Sequence, residues 1–483
     1  MTLPSTSRKG LAANKLGGTV LIIVLWVALG LVSITLYFAN AMNYEARASD
    51  NRWTGLAADQ AIEGAARYVG LVLSNLATNG TVPRVSAYQC ESVPVGESHF
   101  WLIGRPGDYQ VQPDQVFFGL VDEGSKLNLN TVTTNMLQGL TNMSLQLAAN
   151  IVDWRDTNGG TSANGDGPTV YSQFQPAYVC KNGLFETIEE LRLVYPMDMG
   201  VLVGEDANRN GALDPNEADT NRNNTVDMGL LEYVTVHSRE PVARTDGSSR
   251  VNISNMTYQA LNTLLSTNFN QARITQIAMN LGLSVNQGGG GPGGGAGGGG
   301  QTGGGPGGGR GNAGATSVTL RSPLAFYVRS RMTFDEFSAI GTNLTVASGT
   351  YISGRININT AGPAVLACLP GMDSTLVQQV ISYRRQNPDN LTSMAWIAEA
   401  IGSDNTAALQ ALSNGDYITT ESYQYTADIA ALGPYGRGYR RVRYIFDLSS
   451  GTPEIVYRQD LSHLGWALGK YVRQTWLLAK DNR

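Results

Sequence analysis

Between Leu16 and Tyr44 the chain carries no charged residue, and the centre of that stretch, Val20 to Phe38, is dominated by Leu, Ile and Val. Such a run is long enough to cross a bilayer as one helix, the form in which a single segment pairs all its backbone N–H and C=O groups internally. Arg8, Lys9 and Lys15 precede it, so the positive-inside rule places residues 1–17 in the cytoplasm and the rest outside. Ala39-Asn40-Ala41 offers a small-x-small site for an ordinary signal peptidase, which would leave a chain starting at Met42. Signal-peptide apolar cores run about 7 to 15 residues and this one is longer, which favours an anchor.

The helical pattern continues past the apolar stretch. Glu45 to Leu76 contains no Pro, and Trp53, Leu56, Ile62, Ala65, Ala66, Val69, Leu73 and Leu76 recur at helical spacing. The spacing predicts one long helix, apolar in its first half and amphipathic in its second.

Composition narrows the classes of function. With 483 residues, 42% hydrophobic and 15% charged, the chain holds enough material for two or three folded domains. Its net charge of -5 gives it no general attraction for phosphate backbones. Cys90, Cys180 and Cys368 are far apart and form no metal-ligand spacing. Export would permit a Cys90–Cys180 disulfide with Cys368 buried and free, although spacing alone fixes no pairing. His99, His237 and His463 stand alone, and there is no HExxH, Walker loop or nucleophile elbow, so no catalytic residue is proposed.

A pattern repeats three times: Lys126-Leu-Asn-Leu-Asn-Thr131, Arg250-Val-Asn-Ile-Ser-Asn255 and Arg355-Ile-Asn-Ile-Asn-Thr360. Each reads as a short extended segment and a cap, followed by a helix signal at Met136 to Leu140, Leu261 to Leu265 and Val365 to Leu369. In the third unit Leu369-Pro370-Gly371-Met372 turns between two helices, a helix-hairpin-helix pattern. Hairpins of this kind often hold a DNA phosphate on backbone amides. Arg384 and Arg385 favour that use, whereas Asp373 at the hairpin and the acidic chain favour a structural hairpin.

The sharpest chemical motif lies at 204–232. Asp206, Asn208, Asn210, Ala212, Asp214 and Glu217 occupy positions 1, 3, 5, 7, 9 and 12 of a calcium loop, with Gly211 at position 6. Short oxygen-bearing side chains two residues apart fold around a hard cation, Ala212 offers its carbonyl and Glu217 can close the shell with both oxygens. A second, weaker loop has Asp219, Asn221, Asn223 and Asp227 in register, but Asn224 replaces the glycine, Leu230 sits at position 12 and Glu232 comes two residues late. With few charged ligands, affinity is expected at about 10⁻⁴ to 10⁻³ M, in a structural role. The alternative is a polar surface loop without metal.

Residues 287–315 are nearly all Gly without a strict Gly-X-Y period, which reads as a flexible linker. Leu324 to Phe337 adds a helix-rich segment. Trp101 to Leu120, Ser422 to Ile429, Arg441 to Asp447 and Glu454 to Arg458 read as strands. Arg437, Arg440, Arg441 and Arg443 read as a solvated strand face or a contact for an acidic partner.

These words together resemble the minor pseudopilin K family of type II secretion systems, which are type IV pilin-like proteins. The resemblance rests on the anchor Val20 to Val27, on Asp122-Glu-Gly-Ser-Lys-Leu-Asn-Leu-Asn-Thr131, Ile151-Val-Asp-Trp-Arg-Asp156 and Phe185 through Val194, and on the C-terminal strands. It implies a prepilin leader, residues 1–18, cut by prepilin peptidase between Gly18 and Thr19, with methylation of the new terminus. Most pilins carry Glu at the fifth mature position; here that position is Ile23, as in the tip-located K family. The implied fold is α+β. A transmembrane helix, 19–44, leads into a pilin-like helix and first strands, 45–125. An inserted α-helical domain with hairpin units, 126–415, is followed by C-terminal strands, 416–483. The resemblance also implies structural Ca2+, a single-pass inner-membrane protein with a periplasmic body, and assembly with minor pseudopilins I and J and the major pseudopilin rather than nucleic acid. Rival readings are an anchored DNA-uptake receptor and a surface adhesin with a metal-stiffened head. The length, the extra repeat, the loop at 204–232 and the Gly-rich insert depart from the family's compact pattern.

Overall fold

A computed structural model describes residues 17–107, 112–244, 247–284 and 316–481. Residues 1–16 of the expected leader 1–18 and the Gly-rich stretch 287–315 lie outside the described residues. The first helix, α1 (Gly17–Leu76), is 60 residues long, which at 1.5 Å per residue is about 90 Å. Gly18 and Thr19 stand in its first turn. Val20 to Phe38 project no side chain into the fold, and among the described residues this is the one helix long and apolar enough to cross a membrane.

The second half of α1 buries Ala58, Ala61, Ile62, Ala65, Ala66, Val69 and Leu73. The predicted stripe began at Trp53 and Leu56, but these two are exposed, at 49% and 64%. The buried face begins instead at Thr54 and is built largely of alanine, which lets the helix approach its sheet closely.

That sheet is antiparallel and has six strands. Its path runs β1 (Val93–Val95), β2 (Ser98–Ile103), β4 (Gln424–Gly433), β5 (Arg437–Asp447) and β6 (Glu454–Asp460), with β3 (Val121–Asp122) also pairing β4. Side chains alternate across a strand, so Tyr425, Ala427, Ile429 and Ala431 face α1 while Ala430 and Leu432 pack with Trp101, Ile103, Ala467 and Leu468 on the other side. Every residue of β4 is buried, as expected of a central strand covered on both faces.

The arginine-rich β5 is part solvated and part buried. Arg437 and Arg440, 47% and 40% exposed, pair with Asp50 and Asp59 on α1, while the buried Arg441 and its neighbour Arg443 both reach Asp428 on β4. The expected solvated face thus also clamps the sheet to the long helix and binds strands within the sheet.

Between β3 and β4 the three sequence repeats become three copies of one backbone device. Leu127–Asn128 pairs parallel with Val234–Thr235, Val251–Asn252 with Leu344–Thr345, and Ile356–Asn357 with Ile418–Thr419. In each copy the Asn side chain accepts the N–H two residues on, at 2.9, 2.8 and 2.9 Å. In each, the Thr hydroxyl likewise accepts the N–H two residues on. The first and third copies match further. Arg155, closing α2 (Leu145–Arg155), donates to the carbonyls of Leu129 and Val132, and Arg384 on α4 (Ser374–Gln386) donates to those of Ile358 and Ala361. These two copies share one apolar core and the second has its own.

The repeats join the sheet at two buried carboxylates. Asp122 accepts from Gly124 N–H, Asn357 Nδ2 and the hydroxyls of Thr360 and Ser422. Glu123 accepts from Lys126 at 2.7 Å, Thr426 at 2.7 Å and the Thr235 hydroxyl. Burial pushes the Glu123 carboxyl up, but Lys126 and the two hydroxyls outweigh it and hold the group down at about 2 from an ordinary 4.5. A carboxyl lowered in the fold contributes stability that is present above its unfolded value and lost as pH falls through the folded one. Urea unfolding of the full-length protein in detergent should therefore lose on the order of 3 kcal/mol through Glu123 between about pH 4.5 and 2. Glu123→Gln should flatten that part of the profile; an unchanged acid limb would refute the assignment.

Candidate metal centre

The loop from Asp206 to Glu217 folds around its own short side chains. Asp206 accepts the N–H groups of Asn210 and Gly211 at 2.9 and 2.8 Å, and Asn208 and Asn210 accept those of Asn210 and Ala212 at 3.1 and 2.9 Å. Both carboxamides donate to Asp214 Oδ2, at 2.6 and 2.8 Å. Glu217 closes the loop by accepting from Asn208 N–H with one oxygen and Asp214 N–H with the other, at 3.2 and 3.0 Å. Gly211 has φ +78°, the left-handed bend required of position 6, and Arg209 shares the positive sign at 56°.

The second loop copies this network. Asp219 accepts from Asn223 and Asn224 N–H at 3.1 and 2.9 Å, Asn221 from Asn223 N–H at 3.0 Å, and Asn223 from Thr225 N–H at 2.8 Å. Asn221 and Asn223 both donate to Asp227 Oδ2. Arg222 and Asn224 take positive φ, 59° and 57°, at the positions of Arg209 and Gly211. Asn is among the residues that tolerate this conformation, so the missing glycine does not open the loop.

Position 12 of the second loop is where reading along the chain fell short. Leu230 at that position is buried in the apolar core, and Glu232 is committed to Arg105 at 2.6 Å. The closing carboxylate is Glu205, which precedes the first loop. It accepts from Thr220 N–H at 2.6 Å and from Asp227 N–H at 3.2 Å, and also from Asn221 N–H. An antiparallel bridge between Gly204 and Met228 delivers it. The backbones meet so closely there that a Cβ on Gly204 would stand 2.3 Å from Asp227 O, and one on Gly229 2.3 Å from Val203 C. Two glycines flanking the loops were the only sequence signal of this crossing.

The first loop is buried against the sheet and the second is exposed. Arg441, 0% exposed, makes a two-pronged pair with Asp428 and also donates to the carbonyls of Asn208 and Arg209. Arg105 donates to Arg209 O at 3.2 Å while pairing with Glu232. Asn208 and Asn210 donate to Trp466 O and Ala467 O. The loop thus ties β5 to the segment before the C-terminal helix.

Burial raises the Asp206 carboxyl against the pull of Arg105, and burial followed by repulsion from Asp206 and Asp214 raises that of Glu217. Among the described residues no three His, Cys, Asp or Glu side chains form a metal-binding group. A cation here must therefore draw on the carboxamides of Asn208 and Asn210 and the Ala212 carbonyl besides the carboxylates. That all-oxygen set suits a hard ion such as Ca2+ and no thiolate- or imidazole-seeking metal.

Other expectations resolve as follows. The three cysteines are free thiols, with Cys90 beside the sheet and Cys180 in the core of the repeats, so no Cys90–Cys180 bridge forms. At the hairpin, α3 (Pro363–Leu366) leads through Gly371, φ +82°, into α4, and a Cβ on Gly371 would stand 2.9 Å from the Ala408 backbone of α5 (Thr406–Ser413). Asp373 caps α4 by accepting Leu376 N–H at 2.9 Å. Arg384 is buried on its own chain's carbonyls. A phosphate at this hairpin would meet a carboxylate already seated there.

Residues 122–202 match the family model described as type II secretion system (T2SS), protein K. The matched segment begins at the Asp122–Glu123 pair and ends before the two loops. No curated protein matches the chain in sequence. Among solved structures, the chain is similar to one in the crystal structure of the GspK-GspI-GspJ complex from the enterotoxigenic Escherichia coli type 2 secretion system. That likeness has 10% identity and a TM-score of 0.39, over 87% of this chain and 99% of the other.

Calorimetric titration of the full-length protein with Ca2+ tests the two-loop geometry. Glu217→Gln should remove one site and Glu205→Gln the other, while Glu232→Gln leaves both. Affinity should fall on acidification, since Asp206 and Glu217 bind only when ionised and both are raised. Retention of both sites by Glu205→Gln would dismiss the closing role of Glu205.

Proposed function

We propose, from the premise that the chain carries a type II secretion system protein K domain, that it is a minor pseudopilin of the secretion pseudopilus. The family match at 122–202 carries this reading. It is supported by α1, whose apolar half is exposed and whose second half packs on an antiparallel sheet, the division expected of a subunit that leaves a membrane for a filament. The work is assembly, and no catalysis is assigned.

Position in the filament follows from Ile23, which is apolar and exposed. An ionised carboxylate in an apolar filament core needs a cationic partner to offset its desolvation. A subunit with Ile there needs no amine from a neighbour above it, which suits the tip, with minor pseudopilins I and J and the major pseudopilin below. The segment 126–415 is read as an inserted α-helical domain whose hairpin units are scaffold, and the two loops as structural Ca2+ sites that stiffen its junction with the sheet. In this reading Asp206, Asn208, Asn210, Ala212, Asp214 and Glu217 hold one ion, and Asp219, Asn221, Asn223, Asp227 and Glu205 the other. The apolar half of α1 lies after the cut, so the periplasmic body stays tethered to the inner membrane once prepilin peptidase has removed residues 1–18, until the subunit enters the filament. The DNA-uptake reading draws no support from a hairpin capped by Asp373 and packed on α5.

Mass spectrometry of the mature N-terminus, from membranes with and without prepilin peptidase, tests the pathway. A peptidase-dependent start at Thr19 is expected. A start at Met1 or Met42 in both membranes would overturn the pseudopilin assignment.

A further inference from the structure

One end of the sheet lies close to where α1 leaves the membrane. The turn Pro434–Gly436, between β4 and β5, is pressed onto α1 at Thr54: a Cβ on Gly433 or Gly438 would stand 2.3 or 2.4 Å from Thr54 O. The first charged residue after the apolar run is Glu45. Along a helix, the nine residues from Glu45 to Thr54 rise about 14 Å. The polar headgroup layer is about 5 to 8 Å deep on each side of the hydrocarbon, and surface charge acts over a further 8 to 10 Å or so. The turn therefore hangs within side-chain and electrostatic reach of the bilayer, while the far end of the sheet, near Gly80 and Glu421, is 26 residues higher on the chain.

The surface at this end has an unusual make-up. Tyr435, at the tip of the turn, is 58% exposed and held at φ 60°, a conformation rarely adopted by an aromatic residue. Packed on the same turn is α6 (Gly469–Asp481), whose Trp476 stands 3.3 Å from the Cβ position of Gly436 and meets His99 edge-on at 5.1 Å. Its Tyr471 and Arg473 are exposed, and Lys470 lies 5.1 Å over the Tyr471 ring while bridging to Asp114. The helix sequence carries Lys470, Arg473 and Lys480 against a single acid, Asp481. On α1 between the turn and the membrane, Arg47 and Arg52 are exposed beside the acids Glu45 and Asp50, and Asp50 is taken up by Arg437. Tyrosines beside basic residues at headgroup height are the composition of a membrane-interface surface.

We propose that the turn Pro434–Gly436 and the Trp476 end of α6 form a foot that rests on an anionic lipid surface, with Tyr435 at the headgroups and Arg473 facing lipid phosphate. The foot holds the body in one orientation over the bilayer before the subunit is drawn into a filament. The proposal rests on the membrane-anchored reading of α1, and a chain that does not insert will fail to enter nanodiscs at all, which separates the two failures.

The test is hydrogen–deuterium exchange of the full-length protein in single-copy nanodiscs of purely zwitterionic lipid and of lipid containing anionic phosphatidylglycerol. Amides of 434–437 and 469–481 should exchange on the order of tenfold more slowly over the anionic surface. That protection should disappear at high salt and in Arg52→Glu/Arg473→Glu, with β2 and β4 amides unchanged as the check on folding. Equal exchange over both lipids would overturn the proposal, as would protection that appears only in discs holding two copies, which would make this end a contact between subunits.

Discussion

The architecture depends on two adjacent buried carboxylates at the point where the chain leaves its sheet. Asp122 and Glu123 sit at the end of β3, and some 300 residues separate them from Ser422 and Thr426, which they meet where the chain returns. A sheet split by so long an excursion needs its two halves locked in register, since a slip of one residue would turn every buried side chain of β4 toward the wrong face. Asp122 reaches across to β4 and the third repeat, Glu123 to β4 and the first. Buried ionised groups are costly unless every oxygen finds a donor. Here the donors around Glu123 outweigh its burial and those around Asp122 offset part of its own, so any other pairing would leave both carboxylates costlier. The pair therefore favours one closure of the sheet over its near alternatives.

The same logic extends across the repeats. Arg355, which opens the third copy, pairs with Glu240 after the first copy ends, and Arg250, which opens the second, pairs with Glu421 after the third ends. The arginines that mark the second and third repeats thus serve a different copy from their own, whereas Lys126 pairs with Glu123 at the start of its own copy. The copies are interlocked by charge rather than stacked as independent units, even though the second has a separate apolar core.

Much of this fold is legible in the sequence wherever a local period carries the information. The long helix, the strands after residue 422 and the threefold repeat all follow from spacing, because the residues that define each lie within one element. The partners of the Arg437 to Arg443 cluster escaped reading because alternation along a strand shows which residues share a face but not what faces them; the carboxylates of Asp50 and Asp59 lie almost 400 residues away. Trp53 and Leu56 misled for a related reason. Their size marks them as core in a hydropathy pattern, yet a helix lying close on a sheet buries its alanines, leaving large side chains for the outer face.

The loops make the limit sharper. Six positions of the first loop follow a template because one continuous segment folds around its own side chains. The second loop uses the same internal network but borrows its closing carboxylate from the segment that enters the first, and no template reading forward from Asp219 reaches backward to Glu205. What licenses the exchange is the Gly204–Met228 bridge, where two glycines let backbones meet at a distance no Cβ would allow. Each loop is consequently closed by a glutamate on the segment that enters the other, since Glu217 stands two residues before Asp219 and Glu205 one before Asp206. The segment carrying each glutamate thus also enters the other loop, so one short stretch of backbone holds both loops together. Through Arg441, that unit is fixed to the centre of the sheet.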